Sequence, residues 1–430
     1  MIRVIMPTSA RLSAARALHD VFAKGRRVSA DWNKLLSTED AGLAQAILGL
    51  CLRRWGRLSA WSAPRLKDSS RGLPIETQIA LNIGLAQLAW LSGVAAHAAV
   101  DESVSLVSQG RTGFPPHSGL VNAMLRQASK DRDALASEIT SLPDELDRPP
   151  FAEMLLRAAL QDGHSPENVK VLWNKLQQPP SPAFVVLNGP PPGFLVPDAQ
   201  FPAAWRLCPG APFPAEWLRS GAGMAQDISS QALMRFNRPF EKTANMRILD
   251  VCAAPGGKTT ALADMWPSAN IFALEQNPRR AQKLRENLAA RKTRAQVEIA
   301  ESVAWMRGGG RPFDVILVDA PCSASGTVRK HPELVWIYKP KDIEQLVRMQ
   351  ENLLDAAISR LSPGGLLIYS ACSWFPEEGL NHLPRLESLH PKIKPAPIWP
   401  DANGALTHIF RPDSLTWEGE GFQGFAVTLD

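Results

Sequence analysis

Two cysteines occupy matching positions in the C-terminal half, each just past an apolar, strand-like run. Cys322 closes Val315-Ile316-Leu317-Val318-Asp319-Ala320-Pro321-Cys322, and Cys372 closes Leu366-Leu367-Ile368-Tyr369-Ser370-Ala371-Cys372. In an α/β fold, chemistry gathers at the C-terminal ends of parallel strands. Two thiols there, one following a carboxylate (Asp319), suit covalent catalysis on a soft electrophilic carbon. A single cysteine at a strand end is more often a small buried hydrophobe. Together with Asp319, Pro321 and the loop at 252–258, the chemical reading is favoured. Cys51 and Cys208 read as structural, and Cys252 as packing beneath a cofactor.

That loop runs Ile248-Leu249-Asp250-Val251-Cys252-Ala253-Ala254-Pro255-Gly256-Gly257-Lys258-Thr259-Thr260, a strand entering a glycine turn and then a helix. Glycines let the backbone approach a ligand closely, and the helix N-terminus offers free amide donors. The spacing fits neither a phosphate-binding Gly-Lys loop nor G-x-G-x-x-G. Asp250 suits a ligand with a positive centre or an amino group. Glu275 ends the next strand, where a carboxylate binds ribose hydroxyls. A nucleoside held without phosphate anchoring implies S-adenosylmethionine. A tight strand–helix turn with no ligand is the plainer alternative.

The elements that must hold these groups begin near residue 245. Candidate strands are Arg247–Val251, Ile271–Leu274, Val297–Ala300, Asp314–Val318 and Leu366–Ser370, with helices at 258–266, 278–292 and 341–361. This alternation means a parallel α/β sheet. Thr407–Phe410 and Phe422–Leu429 are expected to add a closing antiparallel hairpin. The first 135 residues read as helical: Leu12, Ala15, Leu18, Val21 and Phe22 recur at helical spacing, as do Leu43, Ile47, Leu48 and Cys51, and Ile79, Ile83 and Leu88. Further helices are expected over Ala98–Val107 and Ser118–Ala128, with a loop at 69–74, and they assemble as a bundle. A Pro-rich middle brackets helices near 151–162 and 166–177 and leads into a small irregular subdomain. The expected domains are 1–138, 139–225 and 226–430.

With 430 residues the chain exceeds one ordinary core, and 45% hydrophobic with 21% charged residues reads as globular. The opening Met1–Pro7 has no extended apolar core, so no signal peptide is expected, and no window is long and apolar enough for a membrane span. Five widely spaced cysteines without a C-x-x-C pair support neither a metal site nor a disulfide framework. A reduced, cytoplasmic monomer is the expectation. Residues 1–72 hold thirteen Lys/Arg against five Asp/Glu, within a net charge of +5. That segment is compatible with nucleic acid and equally with a solvated helix surface.

Four strings, Asp-Val-Cys-Ala-Ala-Pro-Gly-Gly-Lys-Thr (250–259), Asp-Ala-Pro-Cys-Ser (319–323), Arg-Lys-His-Pro-Glu (329–333) and Cys-Ser-x-x-Pro-Glu-Glu (372–378), resemble in order and separation the NOL1/NOP2/Sun family of RNA cytosine-C5 methyltransferases. The helical start resembles the RNA-binding NusB fold, through Ala95–Glu102 and Gly119–Arg126. The resemblance implies a NusB-like bundle, a connecting subdomain and a Rossmann-like methyltransferase sheet. It implies 16S ribosomal RNA as substrate, S-adenosylmethionine as cofactor and no metal. It further implies that Cys252, Ala253, Ala254, Pro255, Gly256, Gly257 and Lys258 wrap the methionine part, with Glu275 at the ribose and Glu301 on the adenine side. Asp319 falls between cofactor and base. Cys372 takes the nucleophile's position and Cys322 that of the thiol assisting product release. Arg329, Lys330 and Asn188 are the RNA-contact candidates, and His331 favours structuring its loop.

The chain departs from the family pattern in places. Glu275 and Glu301 stand where Asp is usual, lengthening each contact by a methylene. Ala371 and Gly379 replace Thr and Asn. Val186 replaces the Arg of an Arg-x-Asn signature whose Asn is Asn188, and prolines follow where basic residues are usual. Two other readings stay open: a catalytically weakened RNA-binding or ribosome-assembly factor, and the same chemistry on another RNA such as tRNA.

Overall fold

Helix Ile75–Trp90 is apolar on every side, and eleven of its residues, from Thr77 to Leu88, are buried. A helix of that kind belongs at the centre of a bundle. In the computed structural model, which describes residues 9–29, 31–66, 72–108, 117–237, 245–401 and 403–430, helices Ser9–Phe22, Thr38–Arg53, Trp55–Ser62, Ala96–Leu106, Ser118–Ala128 and Arg132–Ser141 accompany it. The expected absence of a signal peptide at Met1–Pro7 and residues 69–71 of the expected loop lie outside the described residues. Gly84 lets Leu125 come close: a Cβ there would stand 2.4 Å from Leu125 Cδ1. Burial also traps polar groups, which are paired as burial requires. Arg11 donates from Nε to Gln87 at 2.7 Å and pairs with Glu102 at 2.9 Å. Arg132 donates to the carbonyls of Gln87, Leu88, Leu91 and Val94, satisfying the C-terminal end of the central helix.

The chain divides into two units, Met1–Met154 with His331–Lys339, and Leu155–Lys330 with Pro340–Asp430. This division falls elsewhere than residues 138 and 225. His331–Lys339 joins the first unit because its aromatic residues find partners there. Trp336 donates to the Leu52 carbonyl at 2.8 Å and lies beside Phe22, whose ring stacks on Trp55.

The second unit carries helices Pro166–Leu176 and most of Pro150–Gln161. Its Pro-rich part is regular where irregularity was expected. Leu195–Pro197, Trp205–Leu207, Ala183–Val186 and Gly223–Ala225 form a four-stranded antiparallel sheet in that order. The strands are only three or four residues long, so prolines fit between them and at the edge.

The main sheet contains β1 (Arg247–Val251), β2 (Asn270–Leu274), β3 (Gln296–Glu298), β4 (Phe313–Asp319), β5 (Leu361–Ala371), β6 (Ile393–Pro395), β7 (Ile409–Phe410) and β8 (Gln423–Leu429). Their order is β6-β8-β5-β4-β1-β2-β3, with β7 on β8. The first five are parallel, and β8 runs antiparallel beside β5. Alternate residues face opposite layers. Leu249, Ile316, Leu367 and Tyr369 pack with Leu353 and Leu354 of helix Pro340–Ile358, while Ile248, Val315 and Ile368 pack with Leu262 and Trp266. The expected terminal hairpin is split. Ile409–Phe410 does pair with β8, but Leu406–Thr407 pairs with Trp399–Pro400, and β8 inserts between β5 and β6. Among the described residues no helix is long and apolar enough to cross a membrane.

Candidate active site

The loop after β1 turns sharply. Cys252 has φ 63°, and Gly256 has φ 102° as the N-cap of helix Gly257–Met265. A side chain at Gly256 would be strained by that φ and would put a Cβ 2.7 Å from Leu284 Cδ1. Ala253 and Ala254 are buried against Leu284 and Leu288. Arg280 donates to the Ala254 carbonyl, and Asn287 to that of Pro255. Burial pushes the Cys252 thiol up to about 12, opposed by a weak contact with Ser302. Asp250 Oδ1 is buried without a hydrogen bond. The residue is fully buried, accepts from Thr259 Oγ1 at 2.5 Å through Oδ2, and burial pushes it up to about 7. Its work is to hold the first helical turn.

Glu275 follows β2. Its Oε1 accepts from the Asn277 amide at 2.9 Å. Its Oε2 is buried without a hydrogen bond and lies 3.5 Å from Arg280 Nη1. An unfilled buried acceptor beside the glycine turn fits the hydroxyls of a nucleoside, because burying it without a donor is costly. Glu301 is disposed differently. Its longer side chain folds back to accept from the amides of Val303 and Ala304, capping helix Ser302–Arg307.

The strand ends bring the chemistry together. Register places Asp319 of β4 opposite Ser370 of β5, so the segments leaving both strands run side by side. Cys322 Sγ and Cys372 Sγ are 3.3 Å apart. Asp319 receives Lys258 Nζ at 2.8 Å and Ser370 Oγ at 2.9 Å. Burial lowers the Lys258 ammonium, but the charge and hydrogen bond of Asp319 reverse this, and the net shift is upward. The hydrogen bond with Cys372, burial and the nearby charges of Cys372 and Glu378 push the Cys322 thiol well up.

The three RNA candidates differ in freedom. Lys330 is exposed and 3.9 Å from Glu420. Asn188 is exposed and donates to the Gly221 carbonyl at 3.3 Å. Arg329 is only 12% exposed and bonds the Gln178 carbonyl and Glu418. His331 lies 3.5 Å from Glu333 within its own loop.

Sequence reasoning gave no part to Glu378, Ser323, Ser373 or Gln350. Glu378 is completely buried and accepts from Ser323 N at 2.7 Å, Ser323 Oγ at 2.5 Å, Ser373 Oγ at 2.6 Å and Gln350 Nε2 at 3.3 Å. Each cysteine is followed directly by one of these serines. That repeated Cys-Ser, with a nearby Glu-Glu, was the only available signal. Among the described residues no group of His, Cys, Asp or Glu is arranged to hold a metal ion.

Residues 239–407 match the family described as 16S rRNA methyltransferase RsmB/F, and residues 8–130 match the NusB family. A helical bundle of the NusB kind joined to this sheet, loop and strand-end site defines an S-adenosylmethionine-dependent ribosomal RNA methyltransferase. The ribosomal RNA small subunit methyltransferase B of Klebsiella pneumoniae subsp. pneumoniae is 30% identical over 395 residues, covering 87% of this chain and 88% of its own. That of Pasteurella multocida is 30% identical, covering 96% and 94%. This chain belongs to the ribosomal RNA small subunit methyltransferase B family. The crystal structure of PH0851 shares the fold over 97% of this chain and 98% of that one, at TM-score 0.73 and 18% identity. NSun6 from Pyrococcus horikoshii, solved with SFG, shares it over 64% of this chain and 97% of that one, at TM-score 0.53 and 18% identity.

Proposed function

We propose that this chain methylates C5 of a cytosine in 16S ribosomal RNA, with Cys372 as nucleophile, Cys322 as the thiol for product release and Asp319 as the polar partner of the base. The observation that carries the reading is the pair of sulfurs 3.3 Å apart, beside an Asp319 held by Lys258 and Ser370. Cytosine C5 is too weak a nucleophile to take a methyl group directly. Addition of the Cys372 thiolate to C6 forms an S–C6 bond and sends electrons toward C5, splitting one hard step into easier ones. S-adenosylmethionine supplies the electrophilic methyl group. Cys252 to Lys258 and Glu275 would hold it, and Glu301 would do so only by giving up its cap. Asp319 offers a hydrogen-bonding group near N3, where addition builds negative charge.

The raised Cys322 thiol supports this division of labour. The contact with Cys372 and burial push the Cys322 thiol up, so Cys322 keeps its hydrogen within reach of the Cys372 sulfur 3.3 Å away. Once Cys372 is bonded to carbon, the largest cause of that upward shift is gone. Cys322 then loses its proton to solvent more readily and takes the C5 proton as the C6–S bond breaks. Lys330 and Asn188 are placed to meet RNA, and Arg329 does so only by leaving Glu418. We further propose that residues 1–138 bind RNA, 139–225 connect, and 226–430 carry the chemistry.

The test is to incubate the protein with labelled S-adenosylmethionine and undermethylated small-subunit RNA and map 5-methylcytosine. Label at one cytosine C5 is expected. RNA binding without methyl transfer would overturn the reading in favour of an assembly factor, and transfer only to tRNA would move the substrate.

A further inference from the structure

Glu378 sits where the segments after β4 and β5 meet, and everything that reaches its carboxylate is a donor. Ser323 contributes its amide and its hydroxyl, Ser373 its hydroxyl and Gln350 its side-chain amide. Both hydroxyls have further partners. Ser323 Oγ accepts from the Ser325 amide at 3.2 Å, and Ser373 Oγ accepts from the Phe375 amide at 3.0 Å. Burial pushes the Glu378 carboxyl up while the serine and amide bonds pull it down, and the bonds fix its place between the two segments in either protonation state. Ser323 and Ser373 directly follow Cys322 and Cys372. One buried carboxyl group is therefore bonded to the residue behind each thiol. The Tyr369 hydroxyl, donating to the Glu378 carbonyl at 2.7 Å, fixes its backbone as well.

We propose that Glu378 is a positioning residue for methyl transfer: its hydrogen bonds clamp the two cysteine segments together. Loss of the clamp would loosen the 3.3 Å sulfur contact that the two-thiol mechanism needs. The other groups around Cys322 are Cys372 and Tyr369 from β5 and its end, and Asp319 from β4. Lys258 approaches from the glycine-loop helix and balances Asp319. His382 packs on Tyr369 and bonds Gln350, and burial lowers it to about 4, so it carries no charge at neutral pH.

This rests on the thiol roles proposed above, so the test reads the thiols without RNA. Wild type, Glu378→Gln and Ser373→Ala are labelled with iodoacetamide across pH 6.5 to 9.5, and Cys322 and Cys372 are followed by peptide mass spectrometry. Glu378→Gln keeps the size but brings a donor among groups that already donate, so the clamp opens and both thiols should label about threefold faster at a fixed pH. Ser373→Ala removes one clamp bond and should speed the labelling of Cys372 by a smaller factor. Both variants should lower kcat with KM for RNA unchanged. Glu378→Gln with a wild-type labelling profile and kcat would overturn the proposal, as would loss through KM alone. If Glu378→Gln does not fold, Ser373→Ala decides: a wild-type kcat in that variant overturns the clamp. Altered labelling in a protein that does not methylate cytosine would leave Glu378 its role and refute the reading above it.

Discussion

Placing a methyl group on Gly256 separates a backbone requirement from ordinary crowding. Gly256 has φ 102°, and an added Cβ would lie 2.7 Å from Leu284 Cδ1 in a buried cluster with Ala253 and Leu288. The left-handed conformation costs an alanine about 1–2 kcal/mol. Overpacking against Leu284 adds about 1–3 kcal/mol, so Gly256→Ala should destabilise the catalytic unit by about 2–5 kcal/mol. Its neighbour is the control. A Cβ on Gly257 would come closest to Gln226 Nε2 at 2.9 Å, the end of a side chain that can swing aside, with Met224 Sδ at an ordinary 3.8 Å. Gly257→Ala should stay within about 1 kcal/mol of wild type, because alanine also favours the helix. Urea unfolding of both variants supplies the comparison, with calorimetric titration of S-adenosylmethionine alongside. Cofactor affinity should fall clearly for Gly256→Ala, whose loop must shift. Equal stability losses at the two positions would refute the reasoning.

The remaining predictions concern other parts of the account. Asp250 has its pKa raised from 3.8 to about 7 by burial, so the folded state holds that proton more tightly than the unfolded chain does. Its contribution to stability therefore falls as pH rises from 3.8 through about 7. Asp250→Asn should gain on wild type between pH 5 and pH 8 in urea melts, and a difference flat with pH would contradict this. Glu275→Gln should weaken S-adenosylmethionine binding about tenfold, by loss of a charge-assisted acceptor for the ribose, with the melting temperature nearly unchanged. Trp336→Ala should destabilise the helical unit by about 2 kcal/mol, from its lost hydrogen bond to Leu52 and packing on Phe22. Hydrogen exchange should locate that loss in helices Ser9–Phe22 and Thr38–Arg53.

Strand–helix alternation and apolar runs were readable because each is local. Asp319 and the two cysteines follow from runs that end at a polar residue, and the structure brings them together through parallel register. Glu378 was hidden because its partner Ser323 is 55 residues away and the contact depends on how β4 and β5 are aligned. In the central helix, Ile79, Ile83 and Leu88 mark one face, yet Ala80, Leu81 and Leu85 are equally buried. Periodicity reports a face only when one side is wet. Helix Trp55–Ser62 escaped notice because Gly56 is there for a close approach, its added Cβ falling 1.7 Å from the Leu146 carbonyl. Glu301 was legible as a carboxylate at a strand end, but its longer arm lets it cap its own helix. Chain length and residue type do not reveal that choice.

The most direct measurement of the central claim is the covalent RNA–protein adduct on denaturing gels, after incubation with undermethylated small-subunit RNA and S-adenosylmethionine. Cys322→Ala should accumulate the adduct, since release is impaired, and Cys372→Ala should form none. The opposite pattern would exchange the two thiols' roles. No adduct in either variant, with 5-methylcytosine still made, would contradict covalent catalysis itself.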